Sequence, residues 1–192
     1  MNVVIIDYGA GNIQSIRFAL ARLGITATLS DDVTTIKNAS HVIFPGVGEA
    51  SSAMEKLHAT ELDKIIPTLR QPVLGICLGM QLMCNHTEEG DTTGLGIFDT
   101  AVVRFETNLK VPHMGWNTVE GTGLLFNYID ANSHFYLVHS FYTEPNDNMV
   151  GACKYDVCFA AALAKDNFYG TQFHPEKSGA VGARLLQNFL AL

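Results

Sequence analysis

A cysteine stands between two glycines in Gly75-Ile76-Cys77-Leu78-Gly79, where a short apolar run passes into a stretch with helical spacing. On so sharp a strand-to-helix turn a nucleophile is pushed out of the sheet, and flanking glycines let backbone approach closely. The helix N-terminus behind it offers free N–H groups and a dipole that favours a thiolate. A buried structural cysteine beside packing glycines accounts for this pentapeptide equally well. A second segment, Phe173-His174-Pro175-Glu176, changes that balance. Proline fixes its own φ and drives His174 toward an extended conformation. Extended backbone sends residues i and i+2 to one side, so His174 and Glu176 can meet. A carboxylate holding an imidazole that faces a thiol is the nucleophile, base and orienter of acyl transfer. Of the seven histidines, only His174 has an acidic residue two positions away across a proline. A third segment, Pro45-Gly46-Val47-Gly48, can aim the N–H of Val47 or Gly48 into a site. With the Leu78 N–H, one past the cysteine, it would form an oxyanion hole; a structural turn explains this tetrapeptide alone just as well.

These groups need a frame. The run 3–7 is continuously apolar, as in a strand buried on both faces. Residues 13–23 carry Ile13, Ile16, Leu20 and Leu23 at helical spacing, stopped by Gly24. Strands are expected at 25–29, His41–Phe44 and 73–77, and helices at 59–69 and 78–85. Short buried strands alternating with helices indicate an α/β fold with a largely parallel central sheet flanked by helices. From about Thr100 onward, strands are expected at 101–105, 136–143, 150–155 and 159–165, an additional antiparallel region in the C-terminal half. A helix, Gly179–Leu190, closes the chain. No repeat or linker interrupts it, so residues 1–192 are read as a single domain.

Composition narrows the function. Hydrophobic residues make up 47% of the 192 residues and charged residues 16%, which describes a folded globular chain. A net charge of −7, with no run among 12 Lys and Arg, argues against a nucleic-acid partner, because phosphate binding needs a basic patch. No apolar stretch of about 18 residues offers a membrane span. The opening MNVVIIDYG lacks the basic and small-residue marks of a signal peptide, so the expected compartment is the cytoplasm. Cys77, Cys84, Cys153 and Cys158 include no C-x-x-C and no zinc-like spacing, so thiols are expected and no metal. Gly9-Ala10-Gly11-Asn12 suggests a dinucleotide turn, but Gln14 stands where a third glycine belongs, and no cofactor is expected.

G-x-C-x-G followed later by H-P-E resembles the class I, or triad, glutamine amidotransferases. The resemblance implies a flavodoxin-like amidotransferase domain and a Cys77–His174–Glu176 triad that hydrolyses glutamine through a γ-glutamyl thioester. Further segments sharpen it, in order along the whole chain: Asp7-Tyr8-Gly9-Ala10-Gly11-Asn12, Pro45-Gly46-Val47-Gly48, Glu88-Glu89-Gly90, Pro112-His113-Met114-Gly115-Trp116-Asn117 and His174-Pro175-Glu176-Lys177-Ser178. This set is similar to the glutaminases of imidazole glycerol phosphate synthases, a histidine-biosynthetic family in which ammonia passes to a separate (β/α)₈ cyclase. The resemblance implies that Gln81 and Glu89 bind glutamine, and that backbone at His139, Ser140 and Phe141 holds its α-amino end. It implies that Asn12, Met114, Trp116, Tyr136 and Lys177 lie toward the cyclase. For Trp116 a core position is the usual fate of an indole; Gly115 and Asn117 suggest a surface turn instead. For Met114, ordinary packing explains the residue as well. Cys84-Asn85-His86-Thr87 and Phe141 depart from the family pattern beside the substrate pocket. The alternatives are a glutaminase serving another synthase, a non-catalytic module keeping the fold, and a stand-alone γ-glutamyl cysteine hydrolase.

Overall fold

The computed structural model describes residues 1–192. In chain order the elements are β1 (Val3–Ile6), α1 (Ile13–Arg22), β2 (Thr28–Ser30), α2 (Val33–Lys37), β3 (His41–Phe44), α3 (Ala50–Ala59), α4 (Leu62–Ile65), β4 (Val73–Ile76) and α5 (Leu78–Leu82). The second half adds β5 (Cys84–Thr87), β6 (Thr92–Thr93), β7 (Phe98–Arg104), β8 (His113–Thr118), β9 (Glu120–Gly121), β10 (His134–His139), β11 (Phe141–Thr143), β12 (Met149–Tyr155), β13 (Val157–Lys165), β14 (Phe168–Thr171) and α6 (Gly179–Leu190).

Strands β2, β1, β3, β4 and β14 lie side by side and parallel, and β14 passes to β13, β11, β7, β5 and β6 through mainly antiparallel pairings. The apolar run of β1 is explained by burial on both faces. Val4 and Ile6 pack with Met54, Leu57, Leu62 and Ile66 under α3 and α4. Val3 and Ile5 pack with Ile16, Leu20, Leu185 and Phe189 under α1 and α6. Each such aliphatic side chain contributes about 1.5–3 kcal/mol by leaving water.

Several sequence expectations shift. The helix expected at 59–69 begins earlier: Glu49 caps it through Ser52 N–H at 3.1 Å, and Ala50, Ala53, Met54 and Leu57 form its buried stripe. Glu61, at φ 56°, ends that run before α4 and a 3₁₀ turn at Ile66–Thr68. The helix expected at 78–85 stops at Leu82, and Cys84–Thr87 becomes a strand beside β7. The strand expected at 136–143 breaks at Ser140, sending β10 to pair with β8 and β11 into the main sheet. The turn expected around Trp116 from Gly115 and Asn117 is strand β8, although Trp116 does lie at the surface. The strand nobody pattern announced is β14; its Gly170 and Thr171 interrupt the apolar run, yet it lies at the centre of the sheet.

Candidate active site

The order β3, β4, β14 brings three C-terminal strand ends together, and each leads into one of the chemical segments: 45–48, Cys77 and His174. Cys77 itself stands at φ 54°, ψ −111°, a left-handed conformation for a side-chain-bearing residue. Such strain costs on the order of 1–3 kcal/mol and persists only where the surroundings over-determine it. Here Cys77 N–H donates to Thr171 O at 2.7 Å, and Gln81 N–H donates to Cys77 O at 3.2 Å. The glycines set the spacing: a Cβ on Gly79 would collide with Phe44 O, and one on Gly46 with the Gly79 nitrogen. The elbow therefore rests directly on the 45–48 loop, whose Pro45 carbonyl accepts from the buried Tyr8 hydroxyl at 2.7 Å.

His174 is extended, at φ −99° and ψ 95°, as the following proline requires. Pro175–Lys177 then coils into a 3₁₀ turn, so His174 and Glu176 meet across a turn and not along the extended segment expected from spacing. His174 Nδ1 donates to Glu176 Oε1 at 2.8 Å, with both side chains buried. Nε2 makes no hydrogen bond, and the Cys77 thiol is near enough to influence the ring. Burial alone would lower the imidazole pKa; the neighbouring Cys77 thiol and the hydrogen-bonded Glu176 carboxylate outweigh it and push it up to about 9. The base is held from behind by α6, where any Cβ on Gly182 would collide with Pro175 O.

A cavity of about 350 Å³ opens over the sulfur, at the lower end of small-ligand site volumes. Val47, Gly48, Cys77, Leu78, Gln81, Glu89, His139, Ser140, Phe141, His174 and Lys177 all line it, with Pro112 and Val138. Val47, Gly48 and Leu78 carry main-chain N–H groups that no protein carbonyl accepts, as expected for a loop and a helix's first residue. Glu89 Oε2 accepts from Ala50 N–H at 3.0 Å, and burial raises the carboxyl pKa against that bond. Gln81 Nε2 donates both to Phe141 O at 3.0 Å and to Gln172 Oε1 at 2.8 Å, leaving its own Oε1 without a protein donor. The His139 ring turns away, bonding His113 Nδ1 at 3.0 Å and Phe141 O at 2.8 Å. Glu176 lies behind His174, outside the lining.

On the rim, Trp116 and Met114 are each 57% exposed on β8. The Trp116 ring packs edge-on to Tyr136 at 6.0 Å, and Lys177 Nζ sits 5.7 Å over the Tyr136 ring. Asn12, at the N-cap of α1, joins neither this cluster nor the cavity lining. Sequence reading passed over Gln172, which is wholly buried and donates through Nε2 to Cys77 Sγ at 3.8 Å. Two residues before His174, it could have been found by the same i, i+2 alternation applied to Glu176. Tyr8 and His113 gave no comparable signal.

A family model described as "Glutamine amidotransferase class-I" matches residues 4–192. The chain is 53% identical to "Imidazole glycerol phosphate synthase subunit HisH" of Bacteroides thetaiotaomicron, over all of both chains. It is 48% identical to the protein of that name from Haemophilus influenzae, covering 99% of this chain and 97% of the relative. A solved glutamine amidotransferase superposes with a TM-score of 0.78 at 18% identity, over 99% of this chain and 98% of the other.

Proposed function

This chain belongs to the class-I glutamine amidotransferases, and we propose that it is the glutaminase subunit of an imidazole glycerol phosphate synthase, supplying ammonia to a cyclase in histidine biosynthesis. The observation that carries the chemistry is His174, placed between the Cys77 thiol and the Glu176 carboxylate beneath a cavity lined by free N–H groups. The relatives' identity over their full length carries the choice of synthase.

Glutamine enters with its side-chain amide over Cys77. Its α-ammonium meets two acceptors, Gln81 Oε1 and the Glu89 carboxylate, beside the backbone at His139 and Ser140; the Phe141 carbonyl is already taken by Gln81 and His139. The thiolate attacks the amide carbon, and the C=O electron pair moves onto oxygen, where Leu78 N–H and Val47 or Gly48 N–H stabilise it. His174, held as the imidazolium, gives its proton to the departing nitrogen, and ammonia leaves a γ-glutamyl thioester. The imidazole then takes a proton from water; the hydroxide attacks the thioester, and glutamate and the thiolate–imidazolium pair are released. Glu176 keeps Nδ1 protonated and stabilises the imidazolium, as a triad's third member does.

We place the cyclase against the exposed rim of Met114, Trp116, Tyr136 and Lys177, with Asn12 at its edge. No helix is long and apolar enough to cross a membrane, and we place the reaction in the cytoplasm. The test measures glutamine hydrolysis by the purified chain, with and without a cyclase subunit and its ligand. Strong stimulation, on the order of the 10²–10³ that one oxyanion donor supplies, supports the reading. Full activity of the chain alone would mark a self-sufficient hydrolase and overturn it.

A further inference from the structure

We propose that Gln172 is a positioning residue for the nucleophile, its amide N–H holding the Cys77 sulfur at the end of a hydrogen-bonded chain anchored on the Phe141 carbonyl. The proposal rests on reading Cys77 as the glutaminase nucleophile. Gln172 follows β14, whose parallel register pairs Thr171 with Ile76 and so brings residue 172 beside residue 77. It is 0% exposed. A primary amide taken wholly out of water must find partners for its N–H and C=O groups.

The polarity of those partners follows from one atom. A backbone carbonyl only accepts, so the Gln81 atom 3.0 Å from Phe141 O is the amide nitrogen. The second hydrogen of that nitrogen points to Gln172 at 2.8 Å, so Gln172 must present Oε1 there. Its Nε2 is then left facing Cys77 Sγ at 3.8 Å. The sulfur thus has a neutral donor in Gln172, and its own S–H has an acceptor in Val138 O at 3.9 Å. Unlike His174, an amide cannot take the proton; it can only favour the charged form of the thiol and fix where that charge sits.

The same carbonyl fixes a second arm. His139 Nδ1 donates to Phe141 O at 2.8 Å, so its Nε2 accepts from His113 Nδ1 at 3.0 Å. His113 Nε2 then accepts from Asn117 Nδ2 at 3.3 Å. Both rings are neutral in this arrangement, and burial, which pushes His113 down to about 4 and His139 to about 3, keeps them so. With both lone pairs engaged, the Phe141 carbonyl cannot swing toward a ligand, and Gln81 and Gln172 inherit its rigidity.

The experiment uses the full chain, iodoacetamide as the probe, and mass spectrometry to follow alkylation of the Cys77 peptide. Rates are measured from about pH 6 to about pH 10, a range over which thiolate fraction governs reactivity. For Gln172→Met we expect alkylation at neutral pH to fall about tenfold, the low end for a hydrogen bond to a charged group. The wild-type rate should return at the alkaline end. Gln172→Glu, which keeps the size but brings like charge to the sulfur, should fall further. In the complex with cyclase, kcat for glutamine hydrolysis should drop, and any change in KM reports separately on Gln81, whose amide Gln172 also holds. Variant curves that superimpose on wild type, or that are depressed equally at every pH, would overturn the proposal, the second by showing altered access only. If wild-type Cys77 reacts no faster than the exposed Cys158, the nucleophile reading itself falls.

Discussion

Replacing His139 by glutamine should flatten the acid limb of the stability curve. His139 is buried, and burial is the main reason its pKa falls from an ordinary 6.5 to about 3. A group whose folded pKa is depressed is neutral in both states above 6.5. As pH falls below 6.5, the unfolded chain takes up a proton that the folded chain refuses, and stability is lost until about pH 3. Each pH unit in that window removes about 1.4 kcal/mol. At pH 5 the loss is about 2 kcal/mol, and across the whole window on the order of 5 kcal/mol, comparable to the total stability of a small domain. Glutamine at this position can still donate to Phe141 O and accept from His113, but it does not titrate. Urea unfolding followed by far-UV circular dichroism, at half-unit steps from about pH 7.5 to about pH 4.5, would supply the two curves. The variant should start about 1–3 kcal/mol less stable, the usual range for a buried polar change. It should then lose one proton's slope less than wild type, so that the curves converge. His113, held down to about 4, and His41, also lowered by burial, add slope of the same sign to both proteins and leave the difference intact. Parallel curves would refute the neutral, tautomer-locked pair.

Cys77→Ala should reduce glutamine-dependent product formation by about 10⁴ or more, since triad members act as a unit, while ammonia-dependent synthesis by the complex persists. Glu176→Gln should lower kcat severely but less than loss of Cys77, and it should also change the alkaline limb. The folded His174 pKa is raised to about 9, so its contribution is complete below 6.5 and lost as pH rises through about 9. Without the Glu176 charge that decline should shrink, as urea unfolding between about pH 6.5 and about pH 9.5 would register. Trp116→Ala or Lys177→Ala should diminish stimulation by the cyclase, or raise glutamine consumed above product formed, while Cys77 still reacts with an electrophilic glutamine analogue. Full stimulation and a ratio of one in both variants would remove the rim from the interface.

The parallel half of the fold was legible because its strands are buried on both faces. Val3 to Ile6 and His41 to Phe44 need apolar residues at almost every position, and glycines mark their exits. The C-terminal half was harder, since Ser140 ends one strand and begins another without any break in composition. β14 escaped for a related reason: Gly170 is needed there because any Cβ would collide with the Met80 side chain, and packing of that kind is invisible in one dimension. Cys77, His174 and Glu176 were readable from local chemistry alone. Gln172 was legible only as an alternation neighbour of His174; its role rests on partners 91 and 95 positions away, which no local spacing shows.

The base is tied through its main chain to the strands that carry the exposed rim. His174 N–H donates to Tyr136 O at 2.9 Å, Tyr136 N–H donates to Ser178 Oγ at 3.0 Å, and Ser178 Oγ–H donates to His174 O at 2.7 Å. Tyr136 is cross-strand neighbour to Trp116, and its ring lies under Lys177. A partner pressing on Trp116 therefore acts one residue pair away from the peptide that positions the imidazole. The nucleophile is anchored by its main chain on the central strand β14 through Thr171 O, and its thiol reaches β10 at Val138 O, 3.9 Å away. Displacing β10 by a few tenths of an ångström would move the main-chain partner of His174 and the carbonyl beside the thiol together. Reacting groups in an acyl-transfer site are sensitive to shifts on that scale, so the Tyr136–His174 main-chain pair is where pressure on the rim would reach the base.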